Sequence, residues 1–223
     1  EDTTFKIPKN ISLKEAATIP ECYFTVWSNL VMRYGLRENQ KVLVHGGTSG
    51  IGLAALQILK LFGSEIFTTV GNTTKKEFCE NIGIKNVFNY RKQDFFEEIK
   101  TTHKDGIDII LDYVGGDYIN KNINLLRNDG KLINIGFLNG SKVELNLMKI
   151  MLKRLTITGS TLRIRSSSFK GEILNQLKKI VFPNFENGKI KCYIDSEFKI
   201  DDVISSHLRL EDGCHIGKVV LKF

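Results

Sequence analysis

The stretch Lys41–Phe62, KVLVHGGTSGIGLAALQILKLF, decides the fold. It opens with a short apolar run around Val42 and Val44, which predicts one buried strand that ends at a glycine. From Gly50 onward the apolar residues recur with the period of a helix, which predicts an amphipathic helix. The members of its apolar face are Ile51, Ala54, Ala55, Ile58, Leu59 and Phe62. A strand followed at once by a helix is one half of a βαβ unit.

Four glycines, Gly46, Gly47, Gly50 and Gly52, lie between this strand and this helix. Glycine lets the backbone turn sharply and lets a pyrophosphate approach the amides at the helix N-terminus. The stretch therefore predicts a dinucleotide cradle. The spacing G-x-x-x-G-x-G also occurs in short-chain dehydrogenases, so it does not choose a family, and a tight turn without a ligand is the other interpretation.

Composition is that of an ordinary globular chain, with 223 residues of which 42% are hydrophobic and 26% charged. No apolar run approaches the roughly 18 to 20 residues of a membrane span. The net charge of +7 comes from lysines spread among acids rather than clustered with aromatic residues. We therefore expect neither a membrane nor a nucleic-acid partner.

The four cysteines, Cys22, Cys79, Cys192 and Cys214, lie far apart in sequence and lack the spacing of metal ligands. We expect no structural metal site. Few, scattered cysteines suit a reducing compartment, so the cytoplasm is the predicted location. Because the sequence begins with Glu1 rather than Met, we expect a fragment of a longer chain.

Strand and helix patterns alternate through the middle of the chain, which predicts a doubly wound parallel sheet of the Rossmann type. Helices are expected between successive strands, and Gly130 is predicted to end the helix that begins at Asp117. Strands are predicted at 41–45, 65–70, 86–90, 107–114, 131–135 and 155–158. Glycines follow most of these strands, at the sheet edge where such folds bind ligands.

The end of the second strand predicts the choice of coenzyme. A site that prefers NAD places an acid there to bind the ribose hydroxyl, but Ile66–Asn72 contains none. Asn72, Thr73, Thr74, Lys75 and Lys76 instead offer hydrogen bonds and positive charge to a 2′-phosphate. The sequence therefore predicts NADPH.

Beyond Arg165 the pattern is helix, strand, helix and closing strand, without a core of its own. On the last of these helices, His207 shares an apolar face with Ile204 and Leu208 and is predicted to be a packed core histidine. We expect three parts: a connector at 1–20, a nucleotide-binding domain at 21–165 and a C-terminal part at 166–223.

Eight motifs in order resemble the zeta-crystallin-like quinone oxidoreductases, zinc-independent members of the medium-chain dehydrogenase/reductase superfamily. The motifs are AATIPECYFTVW (16–27), KVLVHGGTSGIG (41–52), VGNTTKK (70–76), FNY (88–90), ILDYVGG (110–116), GKLINIGF (130–137), KRLTITGSTLRIR (153–165) and HIGKVVL (215–221). The resemblance implies hydride transfer from NADPH to a quinone. It also implies that a GroES-like, β-rich catalytic domain is largely missing and has left remnants at both ends.

The resemblance further implies a set of cofactor-binding residues. The pyrophosphate would contact Ser49, Gly50 and Ile51; the adenosine end would contact Gly71, Asn72, Lys75 and Tyr90; and the nicotinamide half would contact Thr25, Gly136, Phe137, Leu138, Ser160 and Thr161. No catalytic acid or base is assigned, because hydride chemistry belongs to the cofactor. Tyr113 and Cys22 are interpreted as packing residues.

The same residues bear on three other functions and on the oligomeric state. A short-chain dehydrogenase mechanism needs a lysine four positions after a tyrosine, and none of the six tyrosines has one. An enoyl or alkenal reductase of the same superfamily stays open, as does an NADPH-binding protein without turnover. A homodimer is predicted through Leu155–Ser160, which would be the exposed edge strand of the sheet.

Overall fold

The structure is a computed structural model that describes residues 3–223. Its α-helices are α1 (Leu13–Ala16), α2 (Ile19–Val26), α3 (Gly50–Leu61), α4 (Thr73–Asn81), α5 (Phe95–Thr102), α6 (Tyr118–Leu125), α7 (Leu147–Leu152), α8 (Ser167–Ile180), α9 (Phe182–Glu186) and α10 (Val203–Glu211). The strands are β1 (Lys41–His45), β2 (Glu65–Val70), β3 (Asn86–Asn89), β4 (Ile107–Asp112), β5 (Leu126–Asn134), β6 (Thr156–Gly159), β7 (Ile194–Lys199) and β8 (Lys218–Lys222). A π-helical segment, Trp27–Arg33, continues α2. None of the helices in the described part of the chain has the length and apolar character needed to span a membrane.

The described chain forms two compact units. The sheet unit consists of Leu36–Gly47 and Leu59–Thr161, and the terminal unit consists of the chain up to Gly35 with Thr48–Ile58 and Leu162–Phe223. The domain limits expected from the sequence, at 20/21 and 165/166, divide the chain elsewhere and stay a prediction.

The sheet unit contains six parallel strands in the order β3-β2-β1-β4-β5-β6. This order is that of a doubly wound Rossmann sheet, so the predicted fold class is confirmed. Val42, Leu43 and Val44 of β1 are at most 1% exposed, as expected of a central parallel strand buried on both faces. Helices α5 and α6 pack their apolar residues against one face of the sheet, through Phe95, Ile99, Ile119 and Ile123.

One prediction about this sheet was wrong. Gly130 does not end α6, which stops at Leu125; it lies inside β5. The pairing of β5 with β4 shifts between Ile107 and Ile109, so the start of β5 is irregular. A Cβ at Gly130 would come within 2.9 Å of the Arg127 carbonyl oxygen, so this tight backbone requires glycine. A glycine after a helical pattern does not identify the end of the helix, because glycine occurs in β-bulges as well as at helix C-caps.

The terminal unit has its own buried core around α2 and α8. The Trp27 indole N–H donates to Gln176 Oε1 at 2.8 Å, and the rings of Tyr23 and Phe185 meet edge to face at 5.1 Å. Gln57 donates to the Tyr23 hydroxyl at 3.1 Å, which satisfies a polar group inside this core.

The prediction that His207 packs in a core was also wrong. His207 is exposed, and its neighbours on the same face, Ile204 and Leu208, are 73% and 60% exposed. The rotation of α10 is set instead by Arg209, whose guanidinium donates two 2.8 Å hydrogen bonds to the Asp195 carboxylate of β7. Apolar periodicity marks a face but does not say whether anything covers it.

Asp195 should make the terminal unit acid-sensitive. Arg209 holds the pKa of this carboxyl down, to about 2, and the Ile216 amide also donates to it. The stabilisation is therefore complete above the ordinary aspartate pKa and is lost as the pH falls towards 2. We expect Asp195→Asn to lower the free energy of unfolding by about 2 kcal/mol at pH 7. The difference from wild type should shrink below pH 3, as measured by urea unfolding.

The exposed Asp201→Asn is the matched control and should change little at either pH. If Asp195→Asn lowered the free energy of unfolding by the same amount at pH 7 and at pH 2.5, the stabilisation would not come from the ionised Asp195 carboxylate.

Candidate functional site

All six strands of the sheet run in one direction, so their carboxyl ends lie at one edge. The residues that follow these strands are Gly46 and Gly47 after β1, Gly71 and Asn72 after β2, Tyr90 after β3, Tyr113–Gly116 after β4, Gly136–Leu138 after β5, and Ser160 and Thr161 after β6. The topology thus brings eight of the predicted cofactor residues to one edge of the sheet unit, and a ninth, Lys75, lies in the first turn of α4. This edge is the candidate site.

The turn after β1 is built differently from the sequence-based interpretation. The amide of Gly46 donates to Thr69 Oγ1 at 3.3 Å, and that of Gly47 donates to the Thr69 carbonyl oxygen at 3.0 Å. Both amides therefore serve the sheet. Gly46 has φ +68°, and a Cβ there would overlap the hydroxyl of Tyr113. At Gly47 a Cβ would overlap Thr68. Close packing of the Tyr113 and Thr68 side chains therefore requires glycine at both positions.

The turns after β2 and β3 form a polar corner. Asn72 caps α4, since its Oδ1 accepts from the Lys75 amide at 2.8 Å. The side chain of Lys75 is mostly buried at this helix start, where a lysine opposes the helix dipole. A Cβ at Gly71 would come within 2.9 Å of the Tyr90 hydroxyl, so Tyr90 lies over this turn.

A second cation at this corner escaped the sequence analysis. Lys92 Nζ donates to Thr73 Oγ1 in the first turn of α4 at 3.0 Å. Lys76, by contrast, lies 3.9 Å from Glu80 one turn further along the helix. The only sequence signal for Lys92 was its position two residues after Tyr90.

The turns after β4 and β5 are held to each other by three backbone hydrogen bonds. The Leu138 amide donates to the Tyr113 carbonyl at 3.0 Å, that of Asn139 to the Val114 carbonyl at 2.7 Å, and that of Gly116 to the Gly140 carbonyl at 2.9 Å. Phe137 and Leu138 are 49% and 76% exposed on this clamped loop. An apolar rim is thereby presented on a fixed backbone. Ser160 joins the same edge by donating its amide to the Asn134 carbonyl at 3.1 Å.

The remaining predicted residues, Thr25, Ser49, Gly50 and Ile51, belong to the terminal unit. Ser49 is the N-cap of α3, because its Oγ accepts from the Gly52 amide at 2.9 Å. Thr25 is buried within α2, and its carbonyl accepts from the Asn29 side chain at 2.9 Å.

Lys218 also lies at the start of α3, within the terminal unit. A Cβ at Gly50 would come within 2.5 Å of Lys218 Cδ and 2.9 Å of Cys22 Sγ. A lysine at a helix N-terminus adds positive charge where an anion is already favoured. Nothing in the sequence predicts this neighbour, because 168 residues separate the two positions.

Residues 50–179 match the family model described as zinc-binding dehydrogenase. Among curated proteins, the human quinone oxidoreductase is 30% identical over 223 residues, which are 99% of this chain and 66% of the human protein. About a third of that relative therefore has no counterpart in this sequence.

Solved structures are also similar over nearly the whole of this chain. The Escherichia coli quinone oxidoreductase complexed with NADPH is 26% identical, with a TM-score of 0.87, over 99% of this chain and 68% of that one. The CurK enoyl reductase is 27% identical, with a TM-score of 0.83, over 99% of this chain and 66% of that one.

The family description raises the question of zinc. Within residues 3–223, no group of three or more histidine, cysteine, aspartate or glutamate side chains is arranged to hold a metal ion. Catalytic zinc sites use three protein ligands of these types. The described residues therefore do not provide a zinc site.

Gly46 offers a test of the packing at this edge. Gly46→Ala combines a positive φ with an overlap on Tyr113, whereas Gly63→Ala has a φ of +62° and nothing within 4 Å. We expect Gly63→Ala to cost about 1 to 2 kcal/mol of unfolding free energy. Gly46→Ala should cost about 1 to 3 kcal/mol more, because of the overlap. Urea unfolding measures both.

A double variant separates the two causes. Adding Tyr113→Ala to Gly46→Ala should recover the extra cost relative to Tyr113→Ala alone. If Gly46→Ala and Gly63→Ala lowered the free energy of unfolding by the same amount, Tyr113 would not constrain Gly46.

Proposed function

Because the chain belongs to the zinc-binding dehydrogenase family, within the medium-chain dehydrogenase/reductase superfamily, we propose that it is an NADPH-dependent oxidoreductase that reduces a quinone. The observation that carries this proposal is the sheet edge. A polar, lysine-containing corner follows β2, and a clamped apolar rim follows β5, on a chain 30% identical to a quinone oxidoreductase. The two ends match the two halves of a phosphorylated dinucleotide.

The corner suits the adenosine end of NADPH. Lys75 would neutralise the 2′-phosphate, with Gly71 and Asn72 beside it and Tyr90 against the adenine side. The strand β2 ends in Thr68, Thr69 and Val70 before Gly71, so none of these residues offers a carboxylate to the adenine ribose. A lysine at this helix start can form a charge-assisted hydrogen bond with a phosphate oxygen.

The rim suits the nicotinamide half. Gly136, Phe137 and Leu138 would shield the ring from water, while Ser160 and Thr161 would orient it; Thr25 completes the predicted set. Ser49, Gly50 and Ile51 would bind the pyrophosphate at the start of α3. Bound NADPH would supply the hydride. The chain's own contribution is orientation and exclusion of water; no side chain is assigned to the accompanying proton.

A second candidate is reduction of an activated C=C bond, as in an enoyl or alkenal reductase. The similarity to the CurK enoyl reductase favours it. Both reactions need the same coenzyme and the same nicotinamide rim, so the substrate distinguishes them. We also propose a cytoplasmic protein without nucleic-acid or membrane partners.

Titration of this chain with NADPH, followed by nicotinamide fluorescence, tests cofactor binding. The same protein, and a version extended to the full length of its relatives, should then be given quinones and enals under NADPH. Faster NADPH consumption with quinones supports the first candidate, and faster consumption with enals supports the second. Absence of NADPH binding would overturn the proposal.

Lys75 should set coenzyme preference. Lys75→Ala should weaken NADPH binding by about 10- to 100-fold, since it removes a charged hydrogen bond to the 2′-phosphate. NADH lacks this phosphate, so its binding should change little. Lys76→Ala is the control and should leave both affinities within about twofold, because Lys76 lies towards Glu80. Equal losses of NADPH and NADH for Lys75→Ala would contradict the assignment.

We propose a homodimer through β6. This strand is at the edge of the sheet, and its residues are exposed or half-buried. An edge strand rich in threonine and isoleucine favours pairing with a second copy across a two-fold axis.

Sedimentation velocity tests the dimer. Wild type should sediment as twice its 25.3 kDa mass. Ile157→Lys, which adds a charge to the edge strand, should shift the protein towards monomer. The control, Leu13→Lys, changes a residue that is 78% exposed on α1 and should leave the dimer intact. A wild-type monomer at high concentration would remove the proposal.

A further inference from the structure

A chain of buried hydrogen bonds runs beneath the candidate site in the sheet unit. The Gly46 amide donates to Thr69 Oγ1 at 3.3 Å, and Thr69 Oγ1 lies 3.1 Å from His45 Nδ1. His45 Nε2 lies 2.8 Å from Asn122 Oδ1, and Asn122 Nδ2 donates to Asp112 Oδ2 at 3.2 Å. The chain thus joins β1, β2, α6 and β4.

The donors and acceptors fix the direction in which each hydrogen bond of this series is donated. The Asp112 carboxylate only accepts, so Asn122 presents its amide N–H to Asp112 and its carbonyl oxygen to His45. The carbonyl needs a donor, which makes His45 the tautomer protonated at Nε2. Nδ1 then accepts from the Thr69 hydroxyl, and the hydroxyl oxygen accepts from the Gly46 amide. Every proton points from Gly46 towards the carboxylate.

Burial makes this chain costly to break. His45, Asn122 and Asp112 are fully buried, and Thr69 is 1% exposed. The rings of Phe95 and Tyr118 pack edge-on to the His45 ring, at 5.2 and 4.8 Å. Burial lowers the pKa of His45, against the opposing effect of the Asp112 charge, so the ring is held neutral. A donor or acceptor left without a partner here would pay its full desolvation cost.

The far end of the chain anchors the nicotinamide side of the site. Asp112 Oδ1 accepts from the amides of Val114 at 2.6 Å and Gly115 at 3.3 Å, which shapes the turn after β4. Asp112 Oδ2 also accepts from the Asn134 side chain at 3.3 Å, at the end of β5. The other end of the hydrogen-bond chain holds the Gly46 amide, in the turn after β1. These hydrogen bonds therefore connect the turn after β1 with the turn after β4 and the end of β5.

We infer that Thr69, His45, Asn122 and Asp112 are positioning residues, which hold the turns after β1, β4 and β5 in the geometry that binds the coenzyme. The inference rests on the proposed function and deepens it. All four residues are buried, and none belongs to the predicted set of cofactor-binding residues. These residues should affect the binding of the pyrophosphate and the nicotinamide, which NADPH and NADH share. They should not affect the binding of the 2′-phosphate, which only NADPH carries.

Thr69→Val tests the inference, with Thr69→Ser as its matched control. Valine keeps the shape but removes the hydroxyl, which leaves His45 Nδ1 and the Gly46 amide without partners; serine keeps the hydroxyl. We expect Thr69→Val to weaken NADPH and NADH by the same factor, about tenfold, and Thr69→Ser to stay within about twofold of wild type. The readout is the Kd from nicotinamide fluorescence, at a temperature well below the midpoint of unfolding.

The Kd of the folded protein distinguishes a positioning role for Thr69 from a role in stability alone. A residue that only stabilises the fold would lower the unfolding temperature and leave the Kd of the folded protein unchanged. A Thr69→Val protein that binds both coenzymes as wild type does would overturn this inference alone. A wild type that binds neither coenzyme would overturn the proposed function and the positioning role with it.

Nitrogen chemical shifts of His45 provide a test that needs no coenzyme and no variant. The chain requires a protonated Nε2 and an unprotonated Nδ1 in the wild-type protein at pH 7. A ring protonated at Nδ1, alone or together with Nε2, would overturn the chain and the inference built on it.

Discussion

Parallel pairing of β1 with β2 on one side and β4 on the other is the constraint on which the sheet unit depends. Because the strands run in one direction, every strand delivers its following turn to the same edge. Residues far apart in sequence, such as Lys75 and Phe137, thereby become parts of one surface. The apolar burial of β1 stabilises this arrangement, since the strand is covered on both faces.

The glycine-rich turn shows how one motif can serve two purposes. Gly46 and Gly47 accommodate Tyr113 and Thr68, and their amides bond to Thr69. The proposed pyrophosphate site uses instead the positions that begin α3, where Lys218 lies near Gly50. A glycine count alone cannot separate the two purposes, because both require the absence of a side chain.

Buried polar residues in the strands of this sheet cost desolvation free energy, but they also fix the geometry of the strands they join. His45, Thr69 and Asp112 occupy buried strand positions where an apolar residue would be the simpler choice. Each has its hydrogen-bonding partners, so the desolvation cost is offset. A satisfied polar chain has one geometry, whereas apolar packing tolerates small shifts. Such departures from a purely apolar core are expected near functional sites.

The sequence by itself determined the alternation of strands and helices, the fold class, and the corner with Lys75 and no acid, because these depend on local periodicity and short motifs. Only the tertiary structure decided the packing of Tyr113 on Gly46, the exposure of His207, the bulge at Gly130 and the hydrogen-bond chain to Asp112. Each of these depends on contacts between residues distant in sequence. Strand pairing and helix rotation create those contacts, and no local pattern encodes them.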